Sequence, residues 1–306
     1  MKAMRRFILL LLAMALLIVV GDQVIGRIVE RVYHNTSLGE VGRLNRIADS
    51  VHTDILVMGA SRALHHYVPT IITDTTGLTC YNCGLEGESV LTHYALLRNV
   101  TQRYMPRLIL YDVAYYFDIE GGAHTRRAGK IKRMSSLQCR DSILADIDRW
   151  ERLRTLSRIY PYNSVLFESL LARHGSGYDV PDADNGYVPL HGHFDDSHFV
   201  WNNEIINGGT DPVKLRYLES LIARYHDRLV VFSSPRYGAT EATDTLYDPA
   251  RQLCQRYGVP FVMARCDTAF THHLELWDDD GHLNDDGARL YTRKYVIPAV
   301  KQFVDR

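Results

Sequence analysis

The stretch Asp54-Ile-Leu-Val-Met-Gly59-Ala60-Ser61-Arg62 decides how the chain is read. Its four apolar residues between Asp54 and Gly59 have no polar face, as in a strand buried on both sides. Gly59 closes the run, and Ser61 stands where the chain turns into a helix. Similar runs follow at Leu78 to Gly84, Arg107 to Val113, Arg228 to Ser234 and Pro260 to Ala264. Helical spacing separates them. Val90, Tyr94, Leu97, Val100 and Tyr104 place a helix over 88–104, which stops before Pro106. Leu215 to Tyr225 and Asp285 to Val304 read as further helices. Strands alternating with helices predict an α/β protein: a three-layer α/β/α sandwich around a mainly parallel five-stranded sheet.

Outward from this core, the N-terminus differs in kind. Lys2, Arg5 and Arg6 precede an unbroken apolar run from Phe7 to Val20. A positive start before a hydrophobic stretch is a signal peptide or a membrane anchor. The run is short for a span, yet no good cleavage site follows it. Val24, Ile25, Ile28, Val29 and Val32 continue an apolar stripe at helical spacing. The reading is an uncleaved transmembrane helix over 1–25 and a helical linker over 26–50. A cleaved-signal, secreted form is the alternative. By the positive-inside rule the residues beyond about 25, including the domain over 51–306, lie outside the cytoplasm, on the periplasmic face of the inner membrane. Between the third and fourth strands, 118–211 reads as an insertion or lid. It is largely helical over 140–173 and irregular beyond.

Composition narrows the function classes. Lys+Arg number 35 against Asp+Glu 36, a net charge of −1, which excludes a strongly basic nucleic-acid binder. Nineteen tyrosines suit a surface that stacks on something flat. Tyr115, Tyr116, Trp150, Tyr160, Tyr162, Tyr187 and Trp201 cluster in or beside the insertion. The five cysteines, an odd number, fit no disulfide framework; Cys80-Tyr-Asn-Cys83 has no second pair to make a zinc ribbon and reads as small buried residues. His191-Gly-His193-Phe-Asp195-Asp196-Ser-His198 has metal-ligand residue types, although a polar loop explains it as well. Asn99-Val-Thr101 has the glycosylation pattern but falls within a predicted helix.

The chemistry gathers at strand ends, where open α/β sheets bind ligands. Ser61 follows the first strand. Asn82-Cys83-Gly84 follows the second, and Gly84 would let backbone approach a ligand closely. Ser233-Ser234-Pro235-Arg236 follows the fourth, and Arg236 could hold an anionic or polar group. Asp279-Asp280-Gly281-His282 precedes the last helix. A serine hydroxyl needs a base in reach, and that base needs a third group to fix its tautomer. Asp279 and His282, three apart on one loop, can supply both. His65 and His66 lie one turn past Ser61, with a core or surface role the simpler reading.

The joint placement of Gly59-Ala60-Ser61-Arg62, Asn82-Cys83-Gly84 and Asp279-x-x-His282-Leu283-Asn284 resembles the SGNH (GDSL-like) hydrolase superfamily. The resemblance spans about 52–115 and 212–304 and leaves the insertion uncovered. It implies an SGNH-type, flavodoxin-like fold. It also implies Ser61 as nucleophile, His282 as base, Asp279 as its orienter, and the Ser61 and Gly84 N–H groups as the oxyanion hole. Arg62, Asn82 and Arg236 become candidate substrate contacts, and no cofactor or metal is implied. One block departs from the family: Tyr111-Asp112-Val113-Ala114 stands where Gly-x-Asn-Asp would supply an oxyanion-hole Asn. Divergent membrane-anchored members similar to D-alanyl-transfer and polysaccharide O-acetylation proteins also lack it. The function so implied is a serine esterase or O-acyltransferase acting on acyl, mainly acetyl, esters of extracytoplasmic glycans. The alternatives are a catalytically inactive module that binds glycan or a membrane-bound acyltransferase partner, and a metal-dependent hydrolase using 191–198.

Overall fold

The computed structural model describes residues 2–122, 126–127, 129–134, 137–173, 184–197 and 209–305. The chain forms two compact units: Met1–Ser50 with Ala128–Val180, and Val51–Arg127 with Pro181–Arg306. The segment read as one insertion is therefore divided. Its middle packs with the N-terminal helices, and its two ends stay with the sheet.

The first unit is helical. Helix α1, Lys2–His34, carries an 18-residue window of mean hydropathy 2.6, none of it buried, and is long and apolar enough to cross a bilayer. Exposed apolar side chains continue past Val20 to Val24, Ile25 and Ile28. At 1.5 Å per residue, the stretch from Phe7 to Ile28 is roughly 33 Å long, enough for a hydrocarbon core. The sequence stripe splits here. Val24, Ile25 and Ile28 face outward, while Gly26, Val29 and Tyr33 form the buried face. Val29 and Tyr33 pack with Val41, Tyr162 and Val165. A Cβ on Gly26 would stand 2.2 Å from the Arg158 Cβ, so only glycine allows this approach. Asp22 accepts bonds from Ser157 Oγ (2.6 Å) and the Arg158 N–H (2.9 Å). Helix α2, Gly39–Asp49, folds back on α1, and Asn45 closes the turn by donating to the Tyr33 and Thr36 carbonyls.

The second unit is built on a five-stranded sheet. Its strands are β1 (Ile55–Gly59), β2 (Cys80–Asn82), β3 (Leu108–Asp112), β4 (Leu229–Ser233) and β5 (Phe261–Met263). Every pairing is parallel and the order is β2-β1-β3-β4-β5. The central strands are buried throughout, which explains their unbroken apolar runs. On one face Ile55, Val57, Leu108, Leu110, Val230 and Phe232 share a core with α3 (Ser61–His66), α4 (Pro69–Thr76) and the C-terminal helices. The other face carries α5 (Val90–Val100), against which Tyr111 bonds His93, together with α6 (Pro212–Tyr225) and α7 (Asp248–Tyr257). The predicted last helix is α8 (Asp285–Tyr291) and α9 (Ile297–Val304), joined by a π-helical turn, Thr292–Val296. The expected three-layer α/β architecture is present. The tyrosines serve it: Tyr67, Tyr111, Tyr187, Tyr225, Tyr247 and Tyr291 are all essentially inaccessible, so much of the tyrosine usage is core and not a stacking surface.

Order 2-1-3-4-5 puts the topological switch between β1 and β3. The chain leaves β1 toward one edge and returns on its other side, which opens a crevice beyond the carboxyl ends of these two strands.

Candidate active site

Gly59 shapes the exit from β1. Its φ is +143°, and a Cβ there would lie 2.7 Å from the Asp112 carbonyl oxygen of the neighbouring strand. Only glycine takes that turn at that spacing. The turn brings Ser61 to the first position of α3 at the mouth of the crevice.

The other two residues come from one closed loop. Trp277 and Leu283 form an antiparallel bridge, and the Asp278 N–H donates to the His282 carbonyl (2.9 Å). Asn284 then caps α8 by accepting from the Gly287 N–H. Within the loop, Asp279 Oδ1 accepts from the Gly281 and His282 amides at 2.7 and 2.8 Å. The His282 Nδ1 lies 2.8 and 2.9 Å from the two Asp279 carboxylate oxygens. Its Nε2 lies 2.8 Å from Ser61 Oγ. Burial works to raise the Asp279 pKa, but the bonds from the His282 ring and these amides outweigh it and hold the carboxyl below its usual range. A carboxylate on Nδ1 fixes the tautomer that leaves Nε2 free to accept the Ser61 proton.

Two further histidines lie beside this arrangement, and one braces it. His66 is wholly buried. Its Nε2 accepts from the Leu283 N–H at 3.0 Å, which leaves Nδ1 to donate to Ser234 Oγ at 3.1 Å. His65 Nδ1 bonds the Val188 carbonyl at 2.7 Å. Burial lowers the pKa of both, that of His66 strongly, so both rings are neutral neighbours of His282. Of the core or surface role expected for the pair, both take the core one, and His66 also holds the His282 loop through the Leu283 N–H.

The remaining predicted contacts divide. Asn82 is fully buried and donates to the Ala63, Leu64 and Tyr67 carbonyls at 2.7, 3.3 and 3.0 Å. These are carbonyls of the last turn of α3, which the helix itself cannot satisfy. Asn82 is therefore a clasp on α3 and not a substrate contact. The Gly84 N–H donates to Asn82 Oδ1 at 2.9 Å, so the oxyanion-hole place expected for it is taken. A Cβ on Gly84 would sit 2.4 Å from the Leu64 nitrogen. The close approach read from the sequence is real, but the partner is the α3 backbone. Arg62 is buried, with its Nη2 on the Val113 carbonyl (3.0 Å) and Tyr247 hydroxyl (3.3 Å). Arg62 and Arg236 both line the crevice.

That crevice is a cavity of about 260 Å³. It is walled by Ser61, Arg62, Asp279 and His282, by Tyr115 to Phe117 beyond β3, and by Arg236, Tyr247 and Arg265 beyond β4 and β5. Tyr115–Ile119 is a π-helical turn. The Lys214 ammonium holds it by donating to the Tyr116 and Glu120 carbonyls, both at 2.9 Å, and Asp118 Oδ2 accepts from the Ala114 N–H at 2.7 Å. Asp112, in the block where the sequence resemblance would have an Asn, accepts from the Tyr67 hydroxyl at 2.7 Å and is buried. Arg265 and Tyr247 were not singled out from the sequence. Arg265 follows β5 as closely as Arg236 follows β4, and the strand-end rule alone would have found it.

Among the described residues no group of three or more His, Cys, Asp or Glu is placed to hold a metal; His198 and Trp201 lie outside the described residues. No disulfide joins the cysteines, and Cys80, Cys83 and Cys254 are buried. Asn99 is also buried.

No family model and no curated protein matches the sequence. Among solved structures the chain is similar to one described as "a putative acylhydrolase" from Bacteroides fragilis NCTC 9343. The two are 11% identical with a TM-score of 0.37, over 85% of this chain and 94% of that one.

Proposed function

We propose that the chain is a serine esterase or O-acyltransferase that works through a seryl-ester intermediate. One observation carries the reading: Ser61 Oγ, the His282 ring and the Asp279 carboxylate stand in hydrogen-bonded series, 2.8 Å at each step, beside a cavity. Ser61 Oγ attacks the ester carbonyl as His282 Nε2 takes its proton. The tetrahedral oxyanion then collapses, the C–O bond to the alcohol breaks, and His282 returns the proton to the leaving alkoxide. Water ends the cycle as hydrolysis, and an acceptor hydroxyl ends it as transfer. Asp279 stabilises the imidazolium formed in between. The neutral state of His65 and His66 keeps that cation from facing two more. The Ser61 N–H is the proposed oxyanion donor.

The substrate class proposed is an acylated, mainly acetylated, glycan outside the cytoplasm, with α1 as an uncleaved anchor. Retention of α1 is supported by Asp22, Gly26, Val29 and Tyr33, which are bonded or packed into the helical unit. A non-catalytic binding module is the second reading. It is favoured by the occupied Gly84 amide and by Asp112 in place of the Asn. Labelling of the full-length chain with a fluorophosphonate separates the two. Wild type labels and Ser61→Ala does not if the enzyme reading holds; equal or absent labelling of both leaves the binding module.

A further inference from the structure

Three arginines line the cavity beside the catalytic loop. Arg62, Arg236 and Arg265 all line the space that contains Ser61. They come from three strand exits, after β1, β4 and β5, so the sheet topology and not a local charge run brings them together. Arg62 supports the floor: its Nη groups reach the Val113 and Ser234 carbonyls and its side chain is 10% exposed. Arg265 is almost wholly buried, 3.8 Å from Asp244, with its guanidinium 5.3 Å from the centre of the Tyr247 ring. Arg236 is the most accessible, at 27%, and lies 3.5 Å from the half-exposed Asp280.

Tyr247 registers the field these groups create. Its hydroxyl oxygen accepts from the Tyr115 N–H (3.3 Å), from Arg62 (3.3 Å) and from Arg265 (3.4 Å). Three donors on one phenol oxygen favour the phenolate. Burial raises the pKa of the equally buried Tyr67, Tyr111 and Tyr291 and works the same way on Tyr247, but Arg62 and Arg265 pull Tyr247 down to about 8. Each of the three cations also meets one carboxylate within 4 Å. Asp279 is committed to His282, Asp112 lies 3.7 Å from Arg62, Asp280 accepts from Arg236 at 3.5 Å, and Asp244 lies 3.8 Å from Arg265. Burial lowers the pKa of Arg236, and repulsion from the neighbouring Arg265 and Arg62 lowers it further. An anionic ligand relieves that repulsion.

We infer that the ester processed at Ser61 is itself an anion, with a compact oxyanion such as a carboxylate or phosphate close to the scissile bond and seated against Arg236 and Arg265. The guanidinium fork matches such a group with two parallel N–H bonds. The inference rests on the proposed acyl chemistry for what happens at Ser61, but the anion seat is testable without turnover.

The experiment measures binding to the full-length Ser61→Ala chain of three probes: an O-acetylated methyl uronide, an O-acetylated sugar phosphate and the matched neutral O-acetyl methyl hexoside. At least one anionic probe is expected to bind about tenfold or more tightly than the neutral one, a preference that shrinks with added salt. Whichever anion leads identifies the oxyanion. Arg236→Gln is expected to bring the probes to within about threefold of each other, while Arg236→Lys, which keeps the charge, retains part of the preference. Equal binding of all probes, or an undiminished preference in a folded Arg236→Gln chain, overturns the inference. Fluorophosphonate labelling separates its failure from that of the acyl chemistry. Ser61-dependent labelling without an anion preference removes only the anion seat. A preference in a chain that never labels removes only the enzyme reading and supports the seat.

Discussion

The exits of β1 and β2 look alike in sequence and serve opposite ends. Each has a glycine and a small polar residue within three positions of a buried parallel strand, on the side where such sheets bind ligands. At the β1 exit, Gly59 turns the chain so that Ser61 Oγ reaches His282. At the β2 exit, Asn82 and Gly84 are consumed by α3: one satisfies its last carbonyls and the other lets its backbone come close. The difference is one of unmet hydrogen bonds. A six-residue helix leaves most of its carbonyls without partners inside the helix, and the nearest buried side-chain amide is drawn to them. A polar residue at a strand end is available to a ligand only where no orphan backbone group competes for it.

Substitutions can break this comparison, and the largest effect belongs to β1. Ser61→Ala is expected to lower ester turnover by at least ~10⁴-fold with little change in Tm, read by steady-state rates and thermal melts on the same sample. Asn82→Ala should do the reverse. It removes the bonds to the Ala63, Leu64 and Tyr67 carbonyls and to the Gly84 amide, and is expected to cost about 2–4 kcal/mol in denaturant titrations. A fall in rate without a fall in stability would return Asn82 to the site. Gly84→Ala forces a methyl against the Leu64 nitrogen and is expected to destabilise by about 1–3 kcal/mol, visible as a lower denaturation midpoint.

The β3 exit gives the smallest and most specific effect. Burial raises Asp118 from 3.8 to about 7, so the folded chain binds this proton more tightly than the unfolded one. That contribution to stability is complete below pH ~4 and is lost as pH rises through about 7. His65 and His66, whose pKa values are lowered, act with the opposite sign, which makes the difference between chains the useful quantity. Between pH 4 and 7 the stability of wild type relative to Asp118→Asn should fall by up to ~1.4 kcal/mol per pH unit; parallel curves would show that Asp118 is not protonated in the fold.

The sheet was legible because strands buried on both faces must be apolar throughout, and the runs after Asp54, Arg107 and Arg228 were. Asp279 and His282 were legible because three positions on one loop fix their geometry before any tertiary contact forms, and Ser61 because a strand's end marks the crevice. The fates of Asn82 and Gly84 were not, since they depend on which end of α3 lies against β2. Tyr247 was hidden for a related reason. It sits in a short helical segment far from any strand end and gains its character from two arginines remote in the chain. Nor could the sequence show that 118–211 divides between units, because the partners of its helical middle lie in α1 and α2, about a hundred positions earlier.

Helix α1 runs from Lys2 to His34 without a proline or a break, and its last turns belong to the core of the helical unit. Such a rod has no swivel. Rotation or tilt of its apolar half is transmitted directly to Tyr33 and its neighbours, and the unit stands at a fixed height above whatever surrounds that half. Lengthening the rod by one residue between Val20 and Gly26 would turn the apolar half by about 100° relative to the unit, and by two residues about 200°, so the reach and facing of this unit are encoded in a residue count.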